Sequence, residues 1–301
     1  MNAKSFVGLD VGGTQIKALA FGLDGTELAQ EIAPTSDDGT RQWLDHATRL
    51  VRHVLARCPS PARVGVAAPG LVSPDRKRIA FMPGRLPGLE GLDWQQCLAL
   101  DSPVKVFNDA QAALLGEVWL GAAQHARNVI LLTLGTGVGG AAMVDGRILH
   151  GHIGRAGHLG HVSLDPDGSP DIARTPGSLE DAIGECTLAV RSAGKFSTTR
   201  QLVATFREGS ADARTVWLRS VRALAAALAG LINVLDPETV VIGGGIADAD
   251  EALFEPLKAG LDEFEWRPGG ARVRLVKAAL GRNAGAAGAA YGAKLASENV
   301  L

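Results

Sequence analysis

Asn108 and Asp109 stand together where a strand gives way to a helix. Residues 104–107 are apolar and read as a strand, and the stretch after Asp109 is rich in Ala and Leu and reads as a helix. A carboxylate at the carboxyl end of a strand lies where open α/β sheets bind ligands. Asp109 could act there as a general base, and Asn108 offers both a donor and an acceptor. The competing reading is that one of the two only caps the helix.

Three glycine turns tilt the choice toward chemistry. Gly12-Gly13, Gly135-Thr136-Gly137 and Gly243-Gly244-Gly245 each follow an apolar run. Glycine lets backbone N–H groups come close to a phosphate and form an anion-binding nest. One such turn could belong to any hairpin, but three at strand ends point to a nucleotide held between two lobes. Thr14 and Thr136 add hydroxyls and Lys17 adds a cation. Asp10 could hold Mg²⁺ through water. Taken singly, Lys17 could equally be a solvated lysine and Asp10 a turn residue.

The elements around these residues repeat. Residues 6–10 and 15–21 read as strands on either side of the first glycine turn, and Asp24-Gly25 leads into a third at 26–32. Residues 129–134 and 138–144 flank the second glycine turn in the same way, followed by Asp145-Gly146 and a strand at 147–149. Such repetition predicts two lobes of one architecture, 1–118 and 119–285, with a closing helix at about 286–301 packing back on the first. Trp43, Ala47, Leu50, Val51, Val54 and Leu55 predict a helix, 64–68 a buried strand, and 94–100 a short helix. Residues 74–92, with many Gly, Pro and Arg, predict an irregular segment over a site. Ser178 predicts a helix cap beside Glu180 and Asp181. Trp217, Val221, Leu224, Leu228, Leu231 and Leu235 predict a buried helix face. Residues 239–242 and 273–277 predict two more strands.

The 301 residues suffice for about two domains with full cores. A hydrophobic share of 46% and a net charge of -2 suit a soluble globular chain and give no reason to expect nucleic acid or an anionic membrane as partner. Cys58, Cys97 and Cys186 are far apart and form no C-x-x-C, which fits a reducing cytoplasm without a disulfide framework or a cysteine metal site. No uninterrupted apolar run reaches ~18 residues, so no membrane span is expected. The N-terminus enters a strand by Phe6, without the charged and apolar regions of a signal peptide.

Gly8-Leu9-Asp10-Val11-Gly12-Gly13-Thr14-Gln15-Ile16-Lys17 resembles the first phosphate motif of the ROK family of sugar kinases and sugar-responsive repressors. Asn108-Asp109-Ala110, Leu134-Gly135-Thr136-Gly137-Val138-Gly139-Gly140, Val241-Ile242-Gly243-Gly244-Gly245 and Asn283-Ala284-Gly285-Ala286-Ala287-Gly288-Ala289 resemble its later motifs in order. The resemblance covers nearly the whole chain. It implies an α/β, two-lobed, actin-like ATPase (ribonuclease H-like) fold with duplicated βββαβαβα-type lobes, and a homodimer. It also implies ATP-dependent phosphorylation of a hexose or hexose derivative, with glucose-like aldohexoses or N-acetylhexosamines as substrates.

Position by position, the resemblance makes Asp109 the base that takes the sugar hydroxyl's proton. It makes Asn108 and Glu180 sugar-binding residues, and Gly70 a backbone contact to the sugar. His161 matches the histidine that touches the sugar and in most members ligates zinc. Asp10, Gly12, Gly13, Thr14, Lys17, Gly135, Thr136, Gly137 and Gly244 match the ATP and Mg²⁺ region. The chain departs from the family pattern twice. His158 stands where Glu is usual, so a group that only accepts becomes one that also donates. Asp171, Ala173 and Ser178 stand where three cysteines usually complete a zinc site. Without thiolates no structural zinc is expected, and a hydrogen bond is expected to orient His161 instead. His150, His152, His158 and His161 crowd one loop and leave a histidine metal site as the lesser reading.

Family repressors carry a helix-turn-helix segment before the first phosphate motif. Nine residues precede Asp10 here, so a DNA-binding repressor is not expected. A sugar sensor that binds without phosphorylating is the alternative, but binding alone would not need Asp109.

Overall fold

The computed structural model describes residues 3–298 and 300 of the chain. Two compact units divide it. Unit 1 holds the described residues up to Ala126, together with Gly146–Gly157 and those from Ala279 onward; unit 2 holds Arg127–Asp145 and His158–Ala278. Residues 146–157, expected with the second half, cluster with unit 1. Gln111 reaches them there, its Nε2 donating to the Leu149 carbonyl at 3.1 Å. Gly154 also lies so close to the Val72 carbonyl that no side chain would fit between them.

Unit 1 contains β1 (Ser5–Val11), β2 (Gln15–Gly22), β3 (Glu27–Pro34), α1 (Gln42–Leu55), β4 (Ala62–Ala68), β5 (Leu71–Val72), β6 (Ile79–Phe81), α2 (Trp94–Cys97), β7 (Lys105–Asn108) and α3 (Asp109–Leu120). The next strands in the chain are β8 (Val129–Leu134), β9 (Val138–Val144) and β10 (Arg147–Ile148). Unit 2 continues with α4 (Leu179–Ile183), α5 (Leu188–Arg191), α6 (Thr199–Arg207), α7 (Ala211–Leu235), β11 (Thr239–Gly243), α8 (Glu251–Phe264) and β12 (Arg274–Lys277). Helix α9 (Ala284–Ser297) returns to unit 1.

The duplication read in the sequence is visible in the sheets. One five-stranded sheet has the order β3-β2-β1-β4-β7 and the other β10-β9-β8-β11-β12. In each, an antiparallel hairpin precedes two strands that join in parallel: β1 pairs β2 antiparallel and β4 parallel, and β8 pairs β9 antiparallel and β11 parallel. Parallel strands covered on both faces need continuous apolar runs, which β1 and β11 have.

Helix α1 buries Trp43, Ala47, Leu50, Val51 and Val54, the stripe its spacing predicted. Trp43 meets Trp94 edge-on at 6.1 Å between ring centroids in the same core. The segment 74–92 is less irregular than expected. It contains β6, antiparallel to β5, and sends Leu86, Leu89 and Leu92 into the core. Its scattered apolar residues have no period to announce them. Helix α2 stops at Cys97 rather than 100, and Ala99 turns to a φ of 52°.

Helix α9 explains the Ala-Gly composition of the last motif. Its face approaches strands and α3 at backbone distance: a Cβ on Gly8 would collide with the Ala286 carbonyl, and one on Gly288 with the Ala112 carbonyl. The buried Glu117 fastens the entry to α9, its carboxylate accepting from the N–H groups of Ala122, Ala279 and Leu280 at 2.7, 3.0 and 2.8 Å. In unit 2, α7 is by length and composition a possible membrane span, but half of its most apolar window is buried inside the protein. Trp217, Val221, Leu224, Leu228 and Leu231 form its buried face.

Candidate functional site

In unit 1, β7 delivers Asn108 to the start of α3. Asn108 is the helix cap, and the other half of its amide is used within the protein. Its Oδ1 accepts from the Ala110 N–H at 3.0 Å as the helix cap, and its Nδ2 donates to the Gly70 carbonyl at 3.1 Å. Gly70 has a φ of 104°, and a Cβ there would lie 2.6 Å from the Phe81 carbonyl oxygen, so the turn after β4 requires glycine. Asp109 follows as the first residue of α3. It is exposed, its Oδ1 accepts from the Ala110 N–H at 2.8 Å, and its charge suits a helix N-terminus.

The first glycine turn lies in the same unit. The Gly12 N–H donates to the Gln15 carbonyl at 3.1 Å, and Thr35 fastens the turn from the side through Gly12 O and Thr14 O. Gly13 and Thr14 are exposed. Arg85 stands against this turn: a Cβ on Gly13 would lie 2.8 Å from its Nη2, and its Nε donates to Asp37 at 3.1 Å. Lys17 is buried, and its ammonium donates to the Arg282 carbonyl at 2.6 Å, so it is not a solvated lysine.

Asp10 is partly buried at the end of β1. Burial pushes its carboxyl up to about 7; the Lys17 charge opposes this and the Asp109 charge adds to it. A carboxylate whose ionised form is disfavoured beside a second carboxylate is a hard-oxygen position that a cation would stabilise. Asp10 therefore fits a Mg²⁺ donor set completed by water and phosphate oxygens.

Unit 2 carries the second and third glycine turns. The Gly135 N–H donates to the Gly137 carbonyl at 2.9 Å, while Gly135 O and Thr136 O accept from Glu185 and Cys186 at 2.9 and 2.8 Å. A cavity of about 650 Å³ opens beside them, lined by Gly135, Thr136, Thr199, Arg200, Arg207, Gly245 and Asp248 among others. That size suits a small-molecule ligand. The Thr199 hydroxyl at its wall is buried without a hydrogen-bond partner. Gly244, with a φ of 84°, packs its backbone on the end of β8 too closely for any side chain. The α6 residues of this cavity were not singled out by sequence reasoning, because a polar helix face reads as solvated.

Val138, at the start of β9, holds Glu180 and the turn that carries the two histidines. Its N–H donates to Glu180 Oε2 at 2.9 Å, and its carbonyl crowds Gly160, the residue before His161, leaving no room for a Cβ. Glu180 projects from the first turn of α4, which Ser178 caps by accepting from the Asp181 N–H at 3.2 Å. The Glu180 carboxylate also leaves no room for a Cβ on Gly137. His158 and His161 sit at the ends of one 3-10 turn. His161 Nδ1 lies 2.7 Å from Asp171 Oδ2.

His150 and His152 belong to unit 1, His150 with its ring nitrogens buried, and His158 and His161 belong to unit 2. Among the described residues no three His, Cys, Asp or Glu side chains come together as a metal site. The expected zinc positions Asp171, Ala173 and Ser178 supply one carboxylate, one methyl and one hydroxyl, a donor set that does not fit structural zinc.

The chain is similar to known proteins along nearly its whole length. A family model described as the ROK family matches residues 6–296. A glucokinase from Halalkalibacterium halodurans is 31% identical, the match covering 97% of this chain and 95% of that protein. The crystal structure of a ROK hexokinase from Thermus thermophilus superposes with a TM-score of 0.83 at 31% identity, covering 98% of this chain and 99% of the other. A ROK family glucokinase from Streptomyces griseus, solved with glucose and AMPPNP, superposes with a TM-score of 0.75 at 25% identity, covering 96% and 99%.

Proposed function

The chain belongs to the ROK family, and from that premise we propose that it transfers the γ-phosphoryl group of ATP to a hydroxyl of a hexose or hexose derivative. Its fold is the actin-like ATPase fold of its structural neighbours. The observation that carries the reading is the Asn108–Gly70 hydrogen bond, which fixes the strand-to-helix junction and leaves Asp109 exposed on the first turn of α3.

In this reading Asp109 accepts the proton of the attacking hydroxyl as the new O–P bond forms. The bond between the γ-phosphorus and the β-bridging oxygen breaks, and ADP leaves. Phosphoryl transfer asks little covalent chemistry of the protein, so positioning and electrostatics supply the rate. The family resemblance assigns sugar contacts to Asn108 and the Gly70 backbone in unit 1 and to His158, His161 and Glu180 in unit 2. The family resemblance assigns nucleotide contacts to Gly12, Gly13 and Thr14 of unit 1 and to Gly135, Thr136, Gly137 and Gly244 of unit 2, and the cavity beside Thr136 within unit 2 has room for a nucleotide. Lys17, tied to the Arg282 carbonyl, contributes its charge beside Asp10 rather than a free ammonium. Mg²⁺, when bound next to Asp10, would supply neutralisation of the phosphate charge.

The reading extends to a homodimer, on the family resemblance, and to the cytoplasm, on three cysteines that are all free. A silent sugar sensor is the lesser reading, since both the glucokinase relative and the glucose-bound neighbour are named as kinases. ADP release measured against a panel of aldohexoses and N-acetylhexosamines tests the proposal. Sugar-dependent ADP formation from at least one of them is expected. Tight sugar binding with no ADP formed from any would favour the sensor.

A further inference from the structure

Asp171 is the centre of the loop that carries His161. Its side chain is fully buried, and its two oxygens serve different partners. Oδ1 accepts from the backbone N–H groups of Ala173 and Thr175, both at 2.8 Å. Oδ2 meets His161 Nδ1 at 2.7 Å, and the Ser178 side chain lies near enough to favour the charged carboxylate as well. One side chain thus gathers His161, Ala173 and Ser178, the positions where a zinc ion would need its ligands, without any thiolate. Backbone bonds close the loop around it. Leu179 N–H donates to Val162 O at 2.9 Å, Leu164 N–H to Gly177 O at 2.8 Å, and Asp171 N–H to Thr175 O at 2.9 Å.

The chemistry of the pair decides the state of the ring. Burial works against the Asp171 charge, but its hydrogen bonds with His161 and Thr175 and the nearby Ser178 side chain outweigh that and hold the carboxyl below its ordinary range. An ionised carboxylate can only accept, so His161 Nδ1 must carry the hydrogen. In the neutral ring Nε2 is then left with its lone pair.

We propose that Asp171 is the positioning residue for His161, replacing a metal: it locks the ring orientation and the Nδ1–H tautomer, so that Nε2 presents an acceptor to the substrate. The consequence for the ligand rests on the sugar-kinase reading. His161 Nε2 and the Glu180 carboxylate are both acceptors, so the sugar hydroxyls that meet them must donate.

The test uses ¹⁵N-labelled protein without a histidine tag, with the His161 signals identified by their loss in His161→Gln. The wild-type ring is expected as the Nδ1–H tautomer, and Asp171→Asn is expected to shift it toward Nε2–H. Sugar KM in that variant should rise about 10-fold or more with kcat within about threefold, since loss of an orienting partner weakens what the ring holds. A tautomer shift without a change in KM would uphold the positioning and remove His161 from the sugar site. An unchanged tautomer and KM beside a lowered melting temperature would overturn the proposal and leave Asp171 a loop-closing residue. Should Asp171→Asn not fold, an Nε2–H tautomer in the wild type overturns it alone. A second arm restores thiolates: Asp171→Cys, Ala173→Cys, Ser178→Cys should take up one zinc per chain where the wild type takes none. Stoichiometric zinc in the wild type, or none in the triple variant, would overturn the substitution of carboxylate for metal.

Discussion

The side-chain amide of Asn108 donates to the carbonyl of Gly70 across 3.1 Å while its oxygen caps α3. One residue therefore joins the turn after β4 to the helix that begins with Asp109. Asn108→Asp keeps the capping oxygen but sets an acceptor against an acceptor. Stability should fall by roughly 1–3 kcal/mol, the cost of an unmatched buried polar pair. Misplacing Asp109 should lower kcat/KM about 10²-fold or more. Thermal melts and steady-state kinetics on the variant check both, and wild-type values for both would show that the bond does not set the junction.

Asp10 links stability to pH. Its carboxyl is raised from 3.8 to about 7 in the fold, so the native state holds this proton more tightly than the unfolded chain. Stability from this group is full below about 4 and is lost as the pH rises through 7. Asp10→Asn removes the buried charge. It should stabilise the ligand-free protein at pH 8 by on the order of 2–4 kcal/mol, with the gain shrinking toward pH 4. Turnover with Mg²⁺ and ATP should collapse in the same variant, because the carboxylate proposed beside the metal is gone. Denaturant melts at pH 5 and pH 8 measure the difference; equal gains at both would refute the linkage.

His158 stands at the start of the turn that ends in His161. An imidazole offers a donor that a carboxylate lacks, so the preferred sugar should present a group that accepts. His158→Glu should change the ratio of kcat/KM between sugars by about 10-fold or more if a buried hydrogen bond is exchanged. An unchanged preference across the aldohexose and N-acetylhexosamine panel would place His158 away from the substrate.

Gly288 separates helix propensity from packing. In an exposed helix, Gly→Ala gains about 1 kcal/mol. Here the added methyl would collide with the Ala112 carbonyl and lie 2.7 Å from the Gly116 N–H. Overpacking against backbone costs about 1–3 kcal/mol or more, so Gly288→Ala should destabilise despite the propensity. A raised melting temperature would mean that α9 can lift from α3 without loss.

Where a period was uninterrupted, the elements were legible. The strands expected at 129–134 and 138–144 are β8 and β9 to the residue, and the stripe from Trp43 to Val54 is the buried face of α1. Asn108-Asp109 was legible because a polar pair interrupts a strand-to-helix transition flanked by glycine turns. Other features depend on tertiary partners that leave no local mark. Thr199, Arg200 and Arg207 line the cavity from a short amphipathic helix whose polar face looks like any solvated one. Arg85 meets Gly13 from a loop without periodicity. Asp171 drew notice only as a missing cysteine, and its bonds to His161, Ala173 and Thr175 became visible with the fold.

The central claim is that Asp109 takes the proton of the attacking sugar hydroxyl, and the kcat of Asp109→Asn tests it most directly. The amide keeps the shape of the side chain and cannot serve as a base, so kcat should fall by ~10²–10⁴ with sugar affinity changed only a few-fold. Turnover near the wild-type value, with the variant folded and binding sugar normally, would contradict the assignment.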